Sequence, residues 1–151
     1  MAFVSLPASA RLVLALLFVG LGATGTHGQD QPAVPAVVVP DTVVAHISTA
    51  FANGDAQVLL TPATDRVEVS LFGTRTFYSS AQAFYVLRDF FDSHPPADFS
   101  TGDATATGRS AFVQGRYSHR RDERTLQVYV RLVHRDDRWK LQEVRIDADT
   151  E

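Results

Sequence analysis

Residues 79–96 read SSAQAFYVLRDFFDSHPP, and the spacing of apolar residues in this stretch decides the fold. Ala83, Phe84, Leu87, Phe90 and Phe91 recur three and four apart, which places them on one stripe of an α-helix. Ser79 followed by Gln82 is a capping-box pattern, in which each residue satisfies a backbone N–H that the helix start would otherwise leave unpaired. Pro95 and Pro96 end the helix, because the residue before a proline is driven out of helical geometry. Three phenylalanines on one stripe, at about 1.5–3 kcal/mol each for burial, make this helix the main packing element. It requires a broad apolar surface opposite.

The downstream sequence supplies that surface. Residues 99–107, 111–119, 125–134 and 138–147 read as four strands joined by three hairpins. The turns fall at 108–110, in the charged HRRDER stretch 119–124, and at 135–138, where Asp136 and Asp137 are turn formers. Leu126, Val128, Val130 and Leu132 share one side of their strand, with Gln127, Tyr129, Arg131 and Val133 on the other. In the last strand the apolar phase jumps from Trp139 and Leu141 to Val144 and Ile146, which predicts a bulge near Gln142 and Glu143.

Upstream, Val67, Val69 and Leu71 alternate with Arg66, Glu68 and Ser70 and are closed by Gly73, so a half-buried strand is expected there, with a short return at 76–78. Before it, Val43, Val44, Ile47, Ala50 and Phe51 form a helical stripe, with Asp41 suited to the first turn and Gly54 to the stop. Asp55 is placed to cap a short second helix at 56–60, which Pro62 ends. This order predicts an α+β domain: a curved antiparallel sheet wrapped around a long helix, with the N-terminal helices on the same face, forming a half-open cone.

Four stretches, ANGDA at 52–56, VEVSLFG at 67–73, YSSAQAFYVLRDFFDSHPP at 78–96 and WKLQEVRI at 139–146, carry a resemblance. The chain resembles a bacterial exported family, domain of unknown function 4783. That family lies within the nuclear-transport-factor-like or cystatin-like cone superfamily, which also contains ketosteroid isomerase and scytalone dehydratase. The resemblance implies the cone fold and export, and it supplies no catalytic residue. In the enzymes of the superfamily, Asp, His and Tyr side chains projecting into the cone do the chemistry.

The chain has 151 residues, 45% of them apolar, and no cysteine. One globular domain is expected, and disulfides, thiol nucleophiles and cysteine-based zinc sites are excluded. Residues 12–21 read LVLALLFVGL behind Arg11, the hydrophobic region of a secretory signal. Cleavage is expected after Gly28, which divides the chain into a signal peptide (1–28), a Pro-rich tether (29–40), the cone domain (41–147) and a short tail (148–151). The expected location is periplasmic or extracellular, with no stable membrane anchor after cleavage. Without residues 1–28 the chain has 13 basic and 17 acidic groups, a net of 13 − 17 = −4. Residues 109–145 hold ten basic groups against five acids, a local +5, while the rest is −9. Such a field attracts anions, or else the two halves pack together and neutralise each other.

Four polar groups are candidates for a pocket floor: Tyr117 and His119 on one strand, and Tyr129 and Arg131 on the next. They converge only if both faces point inward. The aliphatic alternation through Leu132 favours the opposite face as the buried one, which would send Tyr129 and Arg131 outward. Asp65 and Glu68 are weak candidates for a general base, since a carboxylate in an apolar cone has a raised pKa, although the position of Glu68 on a polar strand face favours a solvated acid. His46, His94, His119 and His134 show no metal-ligand spacing, and His94 is suited to complement the helix dipole. No cofactor is implied. Arginines 116, 120, 121, 124, 131 and 135 interleaved with tyrosines superficially match a nucleic-acid groove, but an exported acidic protein argues against that partner. The sequence therefore favours a non-catalytic exported binding module for a small molecule or protein, with a homodimer through the outer sheet face as one arrangement. A small acid/base enzyme of isomerase or dehydratase type and a structural envelope module are the alternatives.

Overall fold

The computed structural model describes residues 38–149; the expected signal peptide and nearly all of the tether lie outside them. Two helices come first, α1 (Asp41–Asn53) and α2 (Ala56–Leu60). Gly54 ends α1 at φ 65°, the left-handed geometry a glycine adopts without a Cβ clash, and the Asp55 N–H reaches back to the Ala50 carbonyl at 2.8 Å. Asp55 Oδ1 then accepts from the Val58 N–H at 2.9 Å, so the acid caps α2. His46 Nε2 lies 2.7 Å from the Val58 carbonyl and ties the two helices together.

A hairpin follows, β1 (Ala63–Leu71) and β2 (Thr74–Ser79), then the long helix α3 (Ser80–Ser93). Both halves of the capping box are present: the Gln82 N–H donates to Ser79 Oγ at 3.3 Å, and the Ser79 N–H donates to Gln82 Oε1 at 3.1 Å. Ala83, Leu87, Phe90 and Phe91 are buried. Four strands complete the chain: β3 (Pro96–Thr107), β4 (Ser110–His119), β5 (Asp122–Arg135) and β6 (Arg138–Ala148). The expected return strand is longer than 76–78, and β6 runs one residue past the expected boundary at Asp147.

The six strands form one sheet in the order β2-β1-β6-β5-β4-β3. The three predicted hairpins are antiparallel, but β1 pairs with β6 in parallel, so the sheet is mixed rather than antiparallel throughout. Alternation identifies a strand and its faces; it carries no information about the direction of a neighbour arriving 70 residues later in the chain. The bulge is where the phase jump placed it: Arg131 opposes Glu143 and Leu132 opposes Leu141, leaving Gln142 as the extra residue.

An aromatic cluster closes the space between helices and sheet. Phe51 of α1 stacks on Phe99 of β3 with centroids 4.8 Å apart and meets Phe91 edge-on at 5.7 Å. Val39 is also buried, so the end of the expected tether belongs to the domain. Among the described residues no helix is long and apolar enough to cross a membrane.

Candidate functional site

Strand register sorts every candidate residue onto one of two faces. Under the helices lie Val67 and Val69, Val144 and Ile146, the Leu126–Leu132 aliphatic set, Val113 and Tyr117, all buried. Among the described residues the only buried polar or charged side chains besides the Tyr117 phenol are Glu68 and Ser70. Both sit one residue out of phase with Val67 and Val69, and therefore on the opposite, open face. Asp65 is exposed. Neither acid considered as a general base is inside the cone.

The four polar candidates do not converge. Tyr117 and His119 stay together at one end of the covered face; Tyr129 and Arg131 are on the open face, where the aliphatic alternation of their strand sends them. The Tyr117 hydroxyl donates to the His94 carbonyl, and burial pushes its pKa above the ordinary phenol range. His94 follows the last turn of α3, its Nδ1 3.2 Å from the Phe90 carbonyl, a geometry in which that nitrogen carries the proton and donates. Its ring stacks on Phe90 at 4.8 Å and meets His119 edge-on at 5.0 Å. His94 thus joins this cluster as well as ending the helix, a proximity that the HPP sequence gives no means to foresee. No group of three metal-ligating side chains forms among the described residues.

On the open face, cross-strand partners form rows. One row runs Phe112, Arg131, Glu143, Glu68, Phe77 across β4, β5, β6, β1 and β2; the next runs Gln114, Tyr129, Arg145, Ser70, Arg75. Glu68 is buried at 4% exposure, which corrects the expectation of a solvated acid. Arg75 Nε lies 2.8 Å from its Oε1, and Arg131 Nη2 lies 3.9 Å from its Oε2. Arg131 Nε also lies 2.8 Å from Glu143 Oε2. The charge ladder is therefore Arg75–Glu68–Arg131–Glu143. Beside it, Arg145 pairs with Asp147 at 3.0 Å and lies over the Tyr129 ring at 4.4 Å. Phe77 and Phe112, at the two ends of the first row, are 58% and 42% exposed. Arg75 and Phe77 were not singled out from the sequence, because their role depends on β2 pairing beside Glu68.

The sequence model of the family described as domain of unknown function (DUF4783) matches residues 44–147. The chain belongs to the DUF4783 family. No curated protein matches it. The solved structure of a DUF4783 family protein from Bacteroides ovatus is similar to this chain at 23% identity and TM-score 0.67, over 75% of this chain and 97% of that one. A DUF4783 family protein from Bacteroides uniformis is similar at 21% identity and TM-score 0.66, over 72% and 99%. More distantly, an NTF2-like protein of unknown function from Shewanella baltica shares the fold at 10% identity and TM-score 0.56, over 74% and 91%. The DUF4783 chain described here therefore has the NTF2-like α+β fold, with a curved sheet that does not close.

Proposed function

We propose that this DUF4783 protein is an exported, non-catalytic binding module that engages a protein partner through the open face of its sheet. The observation that carries the reading is the contrast between the two faces. The covered face is apolar apart from the Tyr117 phenol and the His94 and His119 imidazoles at one end, whereas the open face holds an arginine–glutamate ladder between two exposed phenylalanines. Arginine and aromatic side chains are the groups enriched where proteins meet. A buried, doubly paired Glu68 fixes the positions of Arg75 and Arg131, so less side-chain entropy is lost when a partner docks.

The first row also complements itself. With a two-fold axis along the strands over Glu143, Phe112 of one copy meets Phe77 of the other and Arg131 meets Glu68, while the two Glu143 carboxylates face each other on the axis, each offset by the Arg131 of its own copy; a second copy is the partner this chemistry fits first. Export rests on the 12–21 hydrophobic region.

Light scattering on the secreted protein is the test. The expected mass is that of a dimer at high concentration, falling to the monomer in Phe112→Lys and in Arg131→Glu. A monomer at millimolar concentration, or dimers that persist in both variants, would overturn the reading. N-terminal sequencing of exported material should begin at Gln29.

A further inference from the structure

The local +5 charge of residues 109–145 is only partly neutralised by folding. Arg131 and Arg145 are paired with acids, and Lys140 Nζ lies 2.9 Å from Asp136 Oδ2. Arg109 and Arg120 are bonded to the His134 and Pro96 carbonyls. The Arg116 side chain, exposed on the open face of β4, makes neither a hydrogen bond nor an ion pair among the described residues.

Arg116 is opposed by Ser100 on β3 and by Gln127 on β5, one row along from Gln114. These side chains line a hollow of about 230 Å³ over Gly102 and Gly115, where β3 shifts register between Thr101 and Ala104. Gly102 and Gly115 contribute only backbone to its floor, the Cβ direction of Gly115 pointing to the covered face against Phe99. A Cβ at Gly102 would meet nothing nearer than the Gln114 carbonyl at 3.7 Å. The lining carries one guanidinium, two amides and two hydroxyls.

We infer that this hollow is a binding site for a small hydroxylated organic anion, its carboxylate or phosphate held by the Arg116 guanidinium and its hydroxyls by Gln114, Gln127 and Ser100. A guanidinium presents a planar fork of donors that matches an oxyanion in two parallel hydrogen bonds. Amide and hydroxyl groups both donate and accept, as sugar-type hydroxyls require. The volume is below the ~300–1,000 Å³ of sites for drug-sized ligands, so the site suits a single small molecule. The assignment rests on the reading of the open face as the working surface and gives that face a second, smaller ligand.

NMR titration of the full chain with D-glucuronate, glucose 6-phosphate, glucose and inorganic sulfate tests it. Expected are shifts of the Arg116 Nε–H and of the Gln114 and Gln127 side-chain amides with the two sugar anions, little response to glucose, and weaker binding of sulfate. Arg116→Gln should weaken the sugar anions by about tenfold or more, because a charge-assisted pair is lost, with the melting temperature unchanged. Arg116→Lys, which keeps the charge without the fork, should fall between. The site is wrong if neither sugar anion binds at millimolar concentration, if binding survives Arg116→Gln, or if glucuronate binds no better than sulfate. The dimer and the anion site can fail separately: light scattering reads the first through Phe112 and Arg131, and the titration reads the second through Arg116.

Discussion

Glu68 shows how far a residue's surroundings depend on neighbours distant in sequence. Its alternation with Val67 and Val69 was legible and correctly places it on the opposite face from them. Its burial was not, because Arg75 arrives from β2 and Arg131 from β5, and neither pairing is encoded within β1. The energetics are asymmetric. Glu68→Gln releases two arginines that water can still reach, and it should cost about 1 kcal/mol. Arg131→Met leaves the buried carboxylate with Arg75 alone and should cost more, roughly 1–3 kcal/mol; urea midpoints of the two variants check the order. Tyr117 supplies a pH prediction. Its folded-state pKa is raised above the unfolded value of about 10. The stability this contributes is therefore fully present below pH 10 and is lost as the pH rises above it. Unfolding free energies should fall more steeply above about pH 10 in the wild type than in Tyr117→Phe, and equal slopes would mean that the phenol is not held protonated.

At the scale of elements, local rules were readable and pairings were not. The capping box of α3, the left-handed Gly54 and the Gln142 bulge follow from residues a few positions apart. The parallel contact of β1 with β6 does not, since it joins segments separated by the whole of α3 and four strands. Phe90 is the firmest element-level test. It is buried at 4% exposure with Phe91, His94 and Tyr117 around it at 5.5, 4.8 and 5.7 Å. Phe90→Ala should cost about 3–5 kcal/mol by opening a cavity beneath α3. A loss in denaturant below about 1 kcal/mol would mean that the ring does not pack there. Gly115 tests the β3–β4 contact. An added Cβ would sit 2.7 Å from Phe99 Cε2 and 3.0 Å from the Ser100 carbonyl. Gly115→Ala should therefore destabilise the fold by about 1–3 kcal/mol through overpacking, measured by thermal melting.

For the whole molecule, the decisive fact is which face of the sheet the helices cover. The run Leu126, Val128, Val130, Leu132 favoured the face that the helices do cover, and with it the separation of Tyr129 and Arg131 from Tyr117 and His119, but it left the choice open until the strands were in register. The rows across the open face, by contrast, exist only once all six strands are in register. They turn a scattered set of arginines, glutamates and phenylalanines into one surface. The most direct test of that surface is an NMR dilution series of the protein from millimolar to micromolar concentration. The Arg131 and Arg145 Nε–H signals and the Phe77 and Phe112 ring signals should move together with dilution, while the Leu87 and Val128 methyls stay fixed. Movement of the interior methyls with the open-face signals unchanged would contradict the account.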